Sequence, residues 1–183
     1  MSQTKSQLPM TVKVLIGVVL VIFTVNIGAT LLTLTGMAGG QESPVSAWKG
    51  RAAPELVVST TEGHSVRLLD LKGRRVVVDF WATWCPPCVQ EIPHLQKLSE
   101  ELAGENVTVI GVSSEDAATI REFAKSHQVS YPLGRSVELA SPFSDVTLLP
   151  TTVFIDEDGV IESVLLGYHS YDELRKHAIG PVD

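Results

Sequence analysis

Val76-Val77-Val78-Asp79-Phe80-Trp81-Ala82-Thr83-Trp84-Cys85-Pro86-Pro87-Cys88 decides how this 183-residue chain reads. It begins as a nearly unbroken apolar run, the pattern of a strand covered on both faces. Two tryptophans and a C-x-x-C pair follow, and a helical pattern starts at once. Cys85 and Cys88 are the only cysteines. A bridge across so short a loop adds little to stability. Where a strand hands over to a helix, the pair therefore reads as chemistry.

Downstream, the spacing predicts a helix from Pro87 to Ala103. Val89, Ile92, Leu95, Leu98 and Leu102 recur every three or four residues and form its buried stripe. Pro93 cannot donate to the carbonyl of Val89 and predicts a kink. Upstream, Glu55–Ser59 and Ser65–Leu68 read as a hairpin about Thr61-Glu62-Gly63-His64. Val107–Val112 is the next strand. Ser113–Asp116 opens a helix with Ala117, Ile120 and Phe123 on its apolar face. Tyr131-Pro132-Leu133 is a short extended piece, and a turn of helix falls near Glu138. Thr151–Asp156 and Val160–Leu166 form a second hairpin around Asp158-Gly159. Ser170 and Glu173 make a capping box for a last helix through Ala178. This succession predicts an α/β fold: a mixed central sheet with helices on both faces.

The N-terminus is the second strong signal. Val14 to Leu34 is 21 residues without a charge, and about 20 apolar residues span a bilayer as a helix. A signal-peptide core is shorter, and no clean A-x-A cleavage site follows. Lys5 and Lys13 precede the run and keep that end in the cytoplasm. The expected organisation is a cytoplasmic segment at 1–13, an uncleaved transmembrane anchor at 14–35, a Gly/Ser/Pro-containing linker at 36–50 and a catalytic domain at 51–183. That domain then lies in the periplasm or outside the cell, and the bilayer is a partner through 14–35.

The chemistry starts from the sulfurs. The nucleophile in disulfide exchange is a thiolate. A helix N-terminus offers unpaired N–H groups and partial positive charge, and Cys85 sits just before the predicted helix. Cys85 is thus the expected attacker, and Cys88, one turn in, resolves the mixed disulfide. Pro86 and Pro87 fix the chain and remove two N–H donors that could reach the Cys85 sulfur. From sequence alone the effect on redox potential has no sign. Asp79, in the apolar strand, is desolvated or paired. Glu91 shares a helix face with Cys88. Either carboxylate can take the Cys88 proton, so the candidate catalytic residues are Cys85, Cys88, Asp79 and Glu91. Trp84, beside the nucleophile, is the candidate substrate-facing aromatic.

Other chemistries fit less well. A structural zinc site wants four ligands; here His94 is near one C-x-x-C, with no second C-x-x-C and no H-x-x-x-H. His64, His127, His169 and His177 are scattered. No metal and no cofactor is expected. Copper carriage by the two cysteines remains a rival, and a peroxidase reading has only Cys85 to rest on. The chain has 14 basic and 21 acidic residues and a net charge of −7. A nucleic-acid binder needs a basic face, so nucleic acid is not an expected partner.

The segment Asp79–Cys88 with Pro93 beyond it resembles the thioredoxin active site. Leu149-Pro150-Thr151-Thr152 is similar to the thioredoxin cis-proline loop, and Gly167 before the last helix also fits. The resemblance implies a thioredoxin-like fold in which Pro150 is cis and faces Cys85, with backbone that pairs with an extended client segment. Trp84, Pro86, Pro87, Leu149 and Pro150 then form the substrate-binding set. The nearer resemblance is to the membrane-anchored extracytoplasmic TlpA/ResA group, with the CcmG/DsbE thioredoxins beside it. It rests on the N-terminal anchor, on Glu91-Ile92-Pro93 and on the Gly111–Leu133 insertion. Asp79 departs from members that carry a neutral residue there. The resemblance implies a reductant of client disulfides, such as those of apocytochrome c or of metal-site cysteines, recharged by a membrane electron donor. An oxidase that inserts disulfides is the rival direction.

Overall fold

The computed structural model describes residues 45–136 and 138–180, together with residues 9–11 and Leu20. Those few residues apart, the expected segments 1–13 and 14–35 lie outside the described residues. Among the described residues no helix is long and apolar enough to cross a membrane. The chain divides into two units, Met1–Glu42 and Ser43–Asp183. In the second, Trp48 sits in a 3-10 turn (Ser46–Trp48) and is buried. The folded domain therefore takes in the last residues of the expected linker 36–50.

Seven strands form one mixed sheet: β1 (Val57–Thr60), β2 (Ser65–Arg67), β3 (Arg75–Phe80), β4 (Val107–Ser113), β5 (Leu133–Arg135), β6 (Thr151–Ile155) and β7 (Ile161–Leu166). Their order across the sheet is β2-β1-β5-β4-β3-β6-β7. β3 runs parallel to β4, and β4 to β5, whereas β6 is antiparallel to β3 and to β7. The apolar β3 is thus central, as its composition requires. Among the described residues of this unit there are three α-helices: α1 (Pro86–Leu102), α2 (Ala117–Ser126) and α3 (Tyr171–Ile179).

The expectation of helices on both faces is corrected. Every buried apolar side chain of the three helices joins one core, with Val77, Val109 and Phe154 of the sheet. The opposite face, with Val76, Val78, Ile110 and Val153, is covered by Leu56 and by Trp48, Leu68 and Phe143, which lie in single 3-10 turns. Topology gives the reason. The steps β3 to β4 and β4 to β5 go the same way across the sheet, so crossovers of one hand place α1 and α2 on one side.

Local signals mostly hold. α1 passes through Pro93 without ending, and Leu95 and Leu98 are fully buried; truncating either to Ala costs about 2–5 kcal/mol. Asp116 caps α2 through the N–H groups of Ala118 and Thr119, both at 3.0 Å. Ala117, the first residue of α2, is exposed, so the buried face of α2 is Ile120 and Phe123 alone. The turn expected near Glu138 forms instead at Phe143–Asp145, where Phe143 enters the core.

Candidate active site

β3 delivers the chain to the site at its carboxyl end, and α1 leaves from there. Cys85 is the N-cap of α1. Its sulfur accepts the backbone N–H of Cys88 at 3.3 Å, the one hydrogen bond to that sulfur among the described residues. An N-cap side chain ordinarily takes an N–H from the second or third helical residue. Pro87, the second, has none. Cys85 and Cys88 are joined as a disulfide. Cys85 lines an open groove and Cys88 is wholly buried.

That groove has a volume of about 550 Å³. Trp84, Cys85, Pro86 and Pro87 form one wall, and Leu148 and Leu149 another, over a floor that includes Phe143. None of its lining residues is charged. Trp84 is 71 % exposed and Leu148 50 %. The expected set Trp84, Pro86, Pro87 and Leu149 therefore meets in one place. Pro150 is buried, and the Leu149–Pro150 bond is cis. Because β6 is antiparallel to β3, with Thr151 opposite Phe80, Leu149-Pro150 lies at the same end of the sheet as Trp81–Cys85. Leu148 and Phe143 carried no local signal; their place depends on how residues 138–149 pack, with Phe143 on the sheet face opposite the helices.

Asp79 lies on the helical side of the sheet, where its ladder partner Thr152 reaches Glu91, three residues after Cys88 on α1. Asp79 is 1 % exposed and Glu91 0 %. Glu91 Oε1 accepts the backbone N–H of His169 at 2.6 Å, and Oε2 accepts the Thr152 hydroxyl at 3.4 Å. Burial raises the proton affinity of Glu91, and the His169 N–H, the His169 charge and the Thr152 hydroxyl oppose the rise. Burial raises Asp79 well above the usual carboxylate range, and the charge of Glu91 adds to it. The nearby Thr152 hydroxyl, whose hydrogen bond goes to Glu91 rather than to Asp79, offsets part of that rise. Like charges so placed ionise one at a time, so the pair titrates as a unit.

A contact with no sequence signal fixes the loop between β3 and Cys85. Glu115, just after β4, accepts the Thr83 N–H at 2.7 Å and the Thr83 hydroxyl at 2.6 Å. The Ser113 hydroxyl donates to the same carboxylate at 3.2 Å. The His94 ring is hydrogen-bonded to the Tyr168 hydroxyl at 3.0 Å, and His169 reaches Glu91 through its backbone N–H.

Comparison with known proteins agrees with this geometry. The AhpC/TSA family matches residues 49–164. Thioredoxin-like protein YneN of Bacillus subtilis is 31 % identical over 159 residues, 81 % of this chain and 93 % of that one. Thiol-disulfide oxidoreductase ResA of Bacillus cereus is 30 % identical over 129 residues, 69 % of this chain and 74 % of ResA. A thiol:disulfide interchange protein of the thioredoxin family from Chlorobium tepidum TLS superposes with a TM-score of 0.65 at 30 % identity, covering 72 % of this chain and 98 % of the other.

Proposed function

The chain belongs to the AhpC/TSA family and is a thiol–disulfide oxidoreductase of thioredoxin-like fold, and on that footing we propose that it is a membrane-anchored, extracytoplasmic reductant of client-protein disulfides. One observation carries the direction. The Cys85 sulfur receives a single N–H, from Cys88, because Pro86 and Pro87 have none to give. Pairs whose reduced form is well stabilised are oxidants. A thiolate with one donor is poorly stabilised, so this pair gives its electrons away.

The cycle follows. Cys85 thiolate attacks one sulfur of the client disulfide and forms a mixed disulfide; the other client sulfur leaves as a thiolate and takes a proton. Cys88 passes its thiol proton to the Asp79–Glu91 pair. Its thiolate then attacks the Cys85 sulfur, closes the Cys85–Cys88 disulfide and releases the second client thiolate. Two electrons have moved to the client, and the pair is left oxidised. Trp84, Leu149 and the backbone beside Pro150 hold an extended, uncharged client segment over Cys85, in the manner of strand addition. Apocytochrome c and proteins with metal-site cysteines are the clients this reading proposes.

Facing an oxidising compartment, the spent pair needs two electrons from a membrane donor, and the 14–35 segment keeps it at that membrane. The direction is tested by the reduction potential. A value nearer −270 than about −120 mV is expected, and the reverse would make the protein an oxidase. The anchor is tested by washing membranes with carbonate: the chain should stay with the bilayer, and release into the wash would end that part of the reading.

A further inference from the structure

Asp79 and its surroundings hold four buried polar atoms without a hydrogen-bond partner in the protein. They are both carboxylate oxygens of Asp79, the indole nitrogen of Trp81 and the hydroxyl of Tyr131. Two are acceptors and two are donors. Tyr131 is 4 % exposed and shares its core with Cys88 and Trp81.

The sheet register explains their meeting. Gly111 pairs with Asp79 on one side and with Leu133 on the other, and its N–H binds the Pro132 carbonyl at 2.9 Å. Leu133 is thus level with Asp79 across Gly111, and Tyr131, two residues earlier, joins the same core. With no side chain at Gly111, the Leu133 side chain and the Trp81 indole close over β4. A Cβ there would lie 2.2 Å from Leu133 Cδ2 and 3.0 Å from Trp81 Nε1.

We infer that Tyr131 is a positioning residue of the Asp79–Glu91 proton store: its hydroxyl, with the Trp81 indole N–H, faces the Asp79 carboxylate across one ordered water and favours the ionised form. A water in such a place needs two to four polar partners, which these atoms supply. A donor to the charged form lowers a carboxylate's proton affinity. Tyr131 thus opposes the rise that burial and Glu91 impose and keeps the store able to accept a proton. Burial and the charges of Asp79 and Glu91 raise the hydroxyl's own proton affinity well above the usual phenol value, so it donates without ionising. The groups facing the store are Asp79 on β3, Glu91 and Cys88 on α1, Tyr131 ahead of β5 and His169 ahead of α3, with the Thr152 hydroxyl on β6.

The inference rests on the proposed role of Cys88 as resolving thiol, and its test separates the two. In the full chain, Tyr131→Phe removes only the hydroxyl. Infrared difference titration follows the buried carboxylic-acid band and needs neither client nor cysteine chemistry; Asp79→Asn assigns the band. The midpoint should rise by roughly half to one pH unit. Fluorotyrosine, a stronger donor, should move it down; Tyr168 and Tyr171 are engaged with His94 and Glu101 instead. An unmoved midpoint, or one moved the other way in either protein, overturns the inference. The second readout is the rate at which Cys88 displaces thionitrobenzoate from Cys85, which on the acid side should fall by about three- to tenfold in Tyr131→Phe. An infrared shift with an unchanged displacement profile supports the role of Tyr131 and overturns instead the coupling of the store to Cys88.

Discussion

Glu91 on α1 accepts a hydrogen bond from Thr152 on β6, Oγ1 to Oε2 at 3.4 Å, and Thr152 is also the ladder partner of Asp79. One hydroxyl thus stands between two buried carboxylates. Helix and sheet are joined through a group that cannot satisfy both acids at once. Like charges so placed ionise one at a time, so the two titrate as a unit.

The sign of the resulting pH dependence follows from the raised proton affinities of Asp79 and Glu91. The folded chain holds these protons to higher pH than the unfolded chain does. The stability they contribute is complete below the usual carboxylate range and is lost as pH rises through the raised folded values. Asp79→Asn removes the larger share of that loss. Its Tm should exceed the parent's by roughly 3–8 °C at pH 8 and differ little at pH 4. Thermal melts across this range check it; a lower Tm at pH 8 would mean that the charge is satisfied in the fold.

The two cysteines should separate on mutation. Cys85 lines the groove and Cys88 does not. Cys88→Ser is expected to hold clients as mixed disulfides through Cys85, seen as dithiothreitol-sensitive bands on non-reducing gels. Cys85→Ser should trap nothing. Both should lower insulin reduction to background, because exchange needs attack and resolution in turn. Trapping by Cys85→Ser instead would reverse the roles.

Restoring a donor at the second residue of α1 should make the pair more oxidising. Pro87→Ala places an N–H where an N-cap side chain takes one. A hydrogen bond worth about 1 kcal/mol corresponds to a rise of roughly 20 mV, since about 30 mV is 1.4 kcal/mol for two electrons. Equilibration with glutathione measures it. Pro86→Ala, at the first residue, should move the potential less.

Much of this was legible in the chain. Strand β3, the helix after Cys88, the two hairpins and the cap at Ser170 follow from periodicity and turn chemistry, which are local. So does the meeting of Cys85 with Trp84, Pro86 and Pro87. Asp79 announced itself as a charge in an apolar run and Glu91 as a carboxylate on the helix face of Cys88, but the burial of Glu91 was not legible. By position that residue reads as an ordinary surface residue, and only the packing of α1 against β6 and the start of α3 buries it. Tyr131, Thr152 and Glu115 reach the site from other strands or their ends, and strand order is not written in any one segment. The one-sided arrangement of helices escaped the sequence for the same reason.

Glu115 supplies the last prediction. Its carboxylate takes both the N–H and the hydroxyl of Thr83, two residues before Cys85, and is steadied by Ser113. The contact ties the end of β4 to the loop that presents the nucleophile. Hydrogen bonds to a charged group contribute about 1.5–3 kcal/mol each, and this carboxylate is only partly buried, so the lower end applies. Glu115→Ala should cost about 1–3 kcal/mol of stability in urea unfolding. Thr83→Ala should cost less, because the backbone N–H remains. The two losses should fall short of additive, with a coupling of about 0.5–2 kcal/mol. If the clasp also sets the position of Cys85, both variants should slow attack on a model disulfide about three- to tenfold under conditions where they stay folded, a misplacement cost. Glu115→Gln keeps an acceptor for the Thr83 N–H and should recover most of that rate. Full speed in Glu115→Ala would reduce the clasp to a purely structural tie.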